Sequence, residues 1–239
     1  MAPISKAQIK LIRSLQHKKF RDELGLFVAE GHKCIEELKK GYELVIEATS
    51  ANSTPIEIVQ MSGLKTPQGE IAVFKKKTQR TNNLASSISS LTLVLDGIQD
   101  PGNLGTIIRT CDWFGVRQIV CSPDTADCYN PKVVQATMGA LTRVELIYTD
   151  LTAWLTQQKC PIYGTLLDGK DLYEPSSISS QQPAIIIMGN EGNGISQAVR
   201  KLVTHPIRIP SYPPEAETSE SLNVAIATAI VLAEFRRIS

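Results

Sequence analysis

"DGIQDPGNLGTIIRTCDWFG", residues 96–115, decides how the rest of this chain is read. The hydrophobic run Leu91 to Leu95 leads into it, and a helical apolar pattern, Leu104, Ile107, Ile108 and Cys111, leads out. A strand-to-helix turn thus carries Asn103-x-Gly105-x-x-x-Arg109. On a helix Gly105 and Arg109 lie one turn apart on one face, and long side chains lean back toward the N-terminus. Arg109 then passes over Gly105, where no Cβ obstructs it, and delivers its charge to the strand end. Asn103 is placed as the helix N-cap. An Arg109–Asp112 ion pair at i, i+3, with Asn103 merely capping, accounts for the same residues equally well.

Downstream, strand and helix patterns alternate. Strands are expected at 91–98, 117–121, 144–148, 162–167, 184–188 and 206–209, and helices at 103–114, 131–140, 151–159, 195–203 and 221–237. Such alternation implies an α/β fold with a parallel sheet covered on both faces, and ligands in such sheets bind at the carboxyl ends of the strands. "IIIMGNEGNGIS", 185–196, reaches the same kind of end, with Glu191 inside a glycine turn. "RIPSYPPEAETSESLNVAIATAIVLAEFRR", 208–237, reads as a strand, a proline-rich loop and a long helix opened by Ser221 and Asn223. A dinucleotide site is excluded because G-x-G-x-x-G occurs nowhere, and a P-loop because no Gly-Lys-Ser/Thr follows a glycine turn.

Upstream, the pattern is that of a smaller α/β unit. Ser5 caps an amphipathic helix with apolar residues at Ile9, Ile12 and Leu15. "GLFVAEG" reads as a buried strand, "HKCIEELKKG" as a short helix ending at Gly41, and "ELVIEAT", "IEIVQM" and "EIAVFKK" as further strands. "KKKTQRTNNLASSISS", 75–90, is polar and reads as a linker. The expected division is 1–80, a linker at 81–90, and 91–239.

Charge follows this division. Residues 1–85 carry 14 Lys+Arg against 9 Asp+Glu, a net of +5, whereas residues 86–239 carry 11 against 15, a net of −4. A basic N-terminal part suits a polyanion, and a solvated charged face accounts for it as well. The five cysteines, at 34, 111, 121, 128 and 160, form no C-x-x-C pair, and the three histidines are scattered. Reduced thiols in a cytoplasmic protein without a metal centre are the expectation. No stretch reaches the roughly 18 apolar residues of a membrane span, and the first ten residues hold no apolar run that would make a secretory signal.

Together, Asn-x-Gly-x-x-x-Arg, Gly-x-Glu-Gly-x-Gly and Ile-Pro…Ser-Leu-Asn-Val-Ala resemble the SpoU (TrmH-like) family of RNA 2′-O-ribose methyltransferases, in the SPOUT superfamily. The three motifs cover residues 91–239. "LFVAEGHKCIEEL" and "KTPQGEIAVF" are similar to the small L30e-like domain with which ribosomal RNA members bind substrate. The resemblance implies a trefoil knot in the C-terminal parallel sheet, which periodicity does not reveal. It implies S-adenosyl-L-methionine as cofactor, held largely through backbone at Gly189, Ile209 and Leu222, with Thr165 as a further wall. It places the chemistry on Arg109, with Asn103, Glu191, Ser221 and Asn223 around it.

The reaction would be in-line displacement of the methyl group by a ribose 2′-hydroxyl, a poor nucleophile that needs orientation and a route for its proton. A guanidinium gives up its proton too reluctantly to be a ready base. Arg109 is therefore read first as a clamp on phosphate and developing alkoxide, with direct proton abstraction as the alternative. The loop "SYPPEAETSE" is longer than in many relatives and holds Glu215, Glu217 and Glu220, which suit an RNA path only if they face away from it. Ribosomal RNA is the favoured substrate, transfer RNA a variant. A non-catalytic RNA-binding assembly factor is the runner-up, and an open-sheet methyltransferase lacks its glycine-rich first turn. The helix 221–237 is apolar nearly all round, and Ala225, Ala229 and Ala233 permit close approach of another element. The resemblance implies pairing through this region, so a homodimer is expected.

Overall fold

The computed structural model describes residues 2–77, 91–179, 183–213, 219 and 221–238. In chain order the elements are α1 (Lys6–Ser14), α2 (Lys18–Leu24), β1 (Leu26–Glu30), α3 (His32–Lys39), β2 (Leu44–Ala48), α4 (Pro55–Met61) and β3 (Ile71–Lys75), then β4 (Leu91–Asp96), α5 (Pro101–Trp113), β5 (Gln118–Cys121) and α6 (Pro131–Thr137). A 3-10 turn at Ala140–Thr142 precedes β6 (Glu145–Tyr148), α7 (Leu151–Leu155), β7 (Ile162–Asp171), β8 (Ala184–Gly189), α8 (Gln197–Arg200), β9 (His205–Arg208) and α9 (Val224–Arg237). The linker expected at 81–90 lies outside the described residues, as do Glu215, Glu217 and Glu220.

The chain forms two compact units. The first comprises residues 1–78 with 127–143, the second 79–126 with 144–239. The segment Asp127–Arg143 thus leaves the second unit after β5 and returns to it before β6.

In the first unit β1, β3 and β2 form an antiparallel sheet in that order. α1 starts with a capping box, the Ser5 hydroxyl accepting from Gln8 N and the Gln8 side chain from Ser5 N. Ile12 and Leu15 pack with Val28, Ala48, Ile58, Met61, Ile71 and Val73 in one core. "IEIVQM" was expected as a strand, and it is the helix α4. Thr54 Oγ1 accepts from Glu57 N at 3.3 Å, the Glu57 carboxylate accepts from Thr54 N at 2.8 Å, and Pro55 supplies a preset φ at the first helical position. Burial follows the helical step: Ile58 and Met61 are buried, Ile56 and Val59 exposed.

Arg21 is the largest of the fully buried side chains, 2% exposed. Its guanidinium donates to Asp127 Oδ2 at 2.8 and 3.1 Å and to the carbonyls of Leu15 and Gln16, each at 3.0 Å. A buried cation is tolerable only when it is paired and hydrogen-bonded in this way. Phe27 stacks on Phe74 and packs against Tyr129 with ring centres 4.8 Å apart. Burial also pushes the Cys34 thiol up to about 11 and keeps it protonated.

In the second unit six parallel strands run in the order β6-β5-β4-β8-β7-β9. All six residues of β4 are buried, as suits a central strand covered on both faces. One core cluster joins Val94, Val120, Ile185 and Ile187 of the sheet to Trp154, Leu155 and Val199 of α7 and α8. α5 packs on α9, and the Arg236 side chain donates at 2.6 Å to the carbonyl of Phe114, which caps α5. From β4 the chain runs outward to β5 and β6, then restarts at β7 on the other side. β8 fills the gap beside β4, so the winding reverses between these two strands. Among the described residues no helix is long and apolar enough to cross a membrane.

Replacing Asp127 by Ala strands the buried Arg21 charge. Urea unfolding of Asp127→Ala is expected to lose about 3–5 kcal/mol of stability, the usual cost of breaking one side of a buried pair. A loss below about 1 kcal/mol would mean that Arg21 finds water instead.

Candidate active site

The strand order places the carboxyl ends of β4 and β8 side by side, with Asp96 opposite Gly189. This is the reversal point at which open parallel sheets bind their ligands. Gly97 follows β4 with φ +74°, a left-handed conformation that glycine adopts without strain. Its carbonyl accepts from Asn190 Nδ2 at 2.7 Å, which ties the two strand ends together.

Asn190 also shapes the turn after β8. Its Oδ1 accepts from Gly192 N at 2.9 Å and Asn193 N at 3.1 Å, while its backbone pairs both ways with Gly194. The turn lifts Glu191 into solvent. Gly189 is required here by its own chain, since a Cβ would run into the backbone of Gly194 and Ile195. Asp96, buried at the end of β4, accepts from Ser196 N at 2.7 Å and fixes where the turn leads into α8.

α5 begins two residues before the expected start. Asp100, not Asn103, is its N-cap: Asp100 Oδ1 accepts from Asn103 N at 2.8 Å, and Pro101 takes the first helical position. Capping by Asp100 frees the Asn103 amide for other partners. Asn103 Nδ2 donates to Glu191 Oε1, and Asn103 Oδ1 accepts from Asn223 Nδ2 at 2.9 Å. Asn223 is the N-cap of α9, which starts at Val224 and not at 221, its Oδ1 accepting from Ala225 N at 3.0 Å and Ile226 N at 3.2 Å.

These bonds have one direction. Helix N–H groups can only donate, so Asn223 must turn its oxygen to them and its NH2 outward. Asn103 must then answer with its oxygen, leaving its NH2 for the Glu191 carboxylate. Three expected site residues from three distant motifs are joined in one donor chain.

Arg109 is exposed on α5, one turn beyond the buried Gly105. Asp112 pairs with Arg117 at 3.0 Å, and the guanidinium of Arg109 forms no hydrogen bond or ion pair with any described residue. The Arg109–Asp112 alternative is therefore not realised. Ser221 is exposed and takes no part in the donor chain.

Gly189 ends β8 and Ile209 follows β9, whereas Thr165 lies within the longer β7, one residue past its last pairing with β8 at Gly164. Thr165 Oγ1 donates to the Ile187 carbonyl at 3.1 Å, and Leu222, just before α9, is 47% exposed. An uncharged set of backbone, apolar side chains and one hydroxyl suits an aromatic base and a thioether-like chain. No group of three or more His, Cys, Asp or Glu able to hold a metal occurs among the described residues.

The SpoU rRNA methylase family model matches residues 90–233, which includes every residue of this arrangement. The chain belongs to the SpoU rRNA methylase family. Residues 6–83 match the MRM3-like substrate binding domain. The chain is 28% identical to the Bacillus subtilis 23S rRNA (guanosine(2553)-2′-O)-methyltransferase RlmP, over 96% of each chain. A TrmH-family protein of Porphyromonas gingivalis superposes with TM-score 0.87 at 38% identity over the whole of both chains. An AdoMet-bound rRNA methyltransferase of Sinorhizobium meliloti superposes with TM-score 0.85 at 29% identity, over 99% of this chain and 97% of that one.

Sequence reasoning missed Asp100, Asn190 and Asp96. The Asp100-Pro101 pair is itself a helix-start signal, and an Asn opening a Gly-rich turn is the mark of an Asx-turn. The role of Asp96 depends on a contact a hundred residues away and has no local signal.

The direction of the donor chain can be tested by reversing it. Asn223→Asp keeps a good cap but sets a carboxylate oxygen against Asn103 Oδ1, and a turned Asn103 then faces Glu191 with its oxygen. Glu191→Gln supplies the missing donor. In urea unfolding the double variant is expected to exceed Asn223→Asp in stability by about 0.5–1 kcal/mol, a coupling at the low end because the groups are solvated. Additive losses would show that the amides do not act as one chain.

Proposed function

We propose that this protein transfers a methyl group from S-adenosyl-L-methionine to a ribose 2′-hydroxyl of RNA, most naturally ribosomal RNA. The observation that carries the reading is the Asn103–Glu191–Asn223 chain at the β4/β8 strand ends. Arg109, which pairs with no carboxylate among the described residues, lies on the helix that supplies Asn103. The family and the ribosomal RNA methyltransferases it resembles support the substrate class. The cofactor is held at Thr165, Gly189, Ile209 and Leu222, and it supplies an electrophilic methyl on a sulfonium centre.

The remaining work belongs to the side chains. Arg109 holds the phosphate next to the reacting ribose and steadies negative charge as the 2′-oxygen passes its proton to solvent water. A planar fork of donors suits both oxygens better than a point charge does. Asn103, Glu191 and Asn223 fix the floor of the site, and the exposed Ser221 hydroxyl orients the sugar. The same reading includes a trefoil knot in the C-terminal segment, a substrate-binding N-terminal domain and a cytoplasmic location.

It also includes a homodimer. Val224, Ala225, Val231 and Leu232 of α9 are buried, but Ile226 is 53% exposed and Ala233 is exposed too. With the half-buried Ala229 and Ile230, these residues make an apolar stripe at i, i+3, i+4 and i+7 that the described residues leave partly exposed. A second copy would cover it. Sedimentation at micromolar concentration is expected to give a dimer, and Ile226→Arg a monomer. A monomeric wild type would remove this part of the reading.

Single-turnover methyl transfer tests the catalytic assignment. Arg109→Ala is expected to lose about 3–4 kcal/mol of transition-state stabilisation, on the order of a hundredfold or more in rate. Cofactor affinity by calorimetry and the melting temperature should stay near wild type, and Arg109→Lys should recover only part of the rate. Near-normal turnover in Arg109→Ala would overturn the assignment. Absence of S-adenosylmethionine binding, with and without RNA, would favour the assembly-factor reading.

A further inference from the structure

The basic surplus of the N-terminal part is not spread evenly once its pairing is known. Most cations around α2, α3 and β3 face carboxylates: Lys18 meets Asp22, Lys39 meets Glu36 and Glu47, Lys40 meets Glu37, and Lys75 meets Glu43, with Lys33 of α3 unpaired among the described residues. α1 is different. Lys6, Lys10 and Arg13 form no ion pair with any described residue, and α1 contains no acidic residue. Their spacing, i, i+4 and i+7, sets all three on one face. Like charges at that spacing repel, and no neighbour relieves them.

The same three side chains line a groove of about 350 Å³, together with Ile9 of α1 and Gln60 of α4. Ile9 is half-buried and supplies an apolar floor, while Gln60 brings one amide donor and acceptor to the opposite wall. No acid lines it. Three unpaired cations along about 10 Å of helix axis, over a floor without charge, match a run of successive phosphates.

We propose that this α1–α4 groove binds the phosphodiester backbone of the RNA substrate, an inference that rests on the RNA methyltransferase reading above. With cations and a single amide, the groove positions the RNA and reads little of its sequence. Its contribution belongs to substrate binding and not to the chemical step, because the methyl-transfer residues all lie in the other compact unit.

The test uses the full chain and an in vitro 23S rRNA transcript, with binding measured across a salt series. Lys6→Ala/Lys10→Ala/Arg13→Ala is compared with Lys18→Ala/Lys39→Ala/Lys75→Ala, which removes as much charge from paired positions. The groove variant is expected to bind roughly tenfold or more weakly, with the slope of log affinity on log salt reduced by about 2–3. Its KM for RNA should rise while kcat and S-adenosylmethionine affinity stay unchanged. An unchanged slope in the groove variant, or an equal loss in the paired-cation control, would overturn the proposal. RNA binding by wild type without methyl transfer or cofactor binding would sink the enzymatic reading instead, and the groove would still be judged on its salt slope.

Discussion

The first turn of α9 presents backbone N–H groups that can only donate, and Asn223 alone answers two of them. That demand orients the Asn223 amide, which orients the Asn103 amide, which is aimed at Glu191. A helix-capping requirement is thereby converted into a fixed arrangement of polar groups at the strand ends. The rest of the second unit serves to bring the three residues within reach. Its reversed winding seats β8 beside β4, Asp100 caps α5 so that Asn103 is free, and Asn190 ties the Glu191 turn to Gly97.

Plain capping and a site role competed as explanations of Ser221 and Asn223 opening a helix. The oxygen of Asn223 caps α9 while its nitrogen donates to Asn103, so capping leaves the second role open to it. At Gly189 the missing Cβ serves the chain itself, since it permits the close approach of Gly194 and Ile195.

Much of this was legible in the sequence because the signals are local. Alternation of apolar runs and helical spacing located β4 to β9 and the helices between them, and the parallel order follows from that alternation. The errors were also local, where a stronger signal was passed over. "IEIVQM" alternates like a strand, but Thr54-Pro55-x-Glu57 starts a helix, and hydrogen bonds at both ends of that capping box prevail over the apolar pattern. Asn103 looked like a cap until Asp100-Pro101 was seen to provide one. What no local pattern holds is the pairing of Arg21 with Asp127 or of Asp96 with Ser196, because each partner lies about a hundred residues from the other.

The excursion of Asp127–Arg143 into the first unit bears on the order in which the protein is made. A nascent chain leaves the ribosome from its N-terminus, and a contiguous N-terminal domain folds as soon as it emerges. Here Arg21, Phe27 and Tyr42 wait for Asp127, Tyr129 and Leu141. By then β4, α5 and β5 have already been synthesised. The first unit cannot close as an early, independent module, and its completion is tied to translation having passed residue 143.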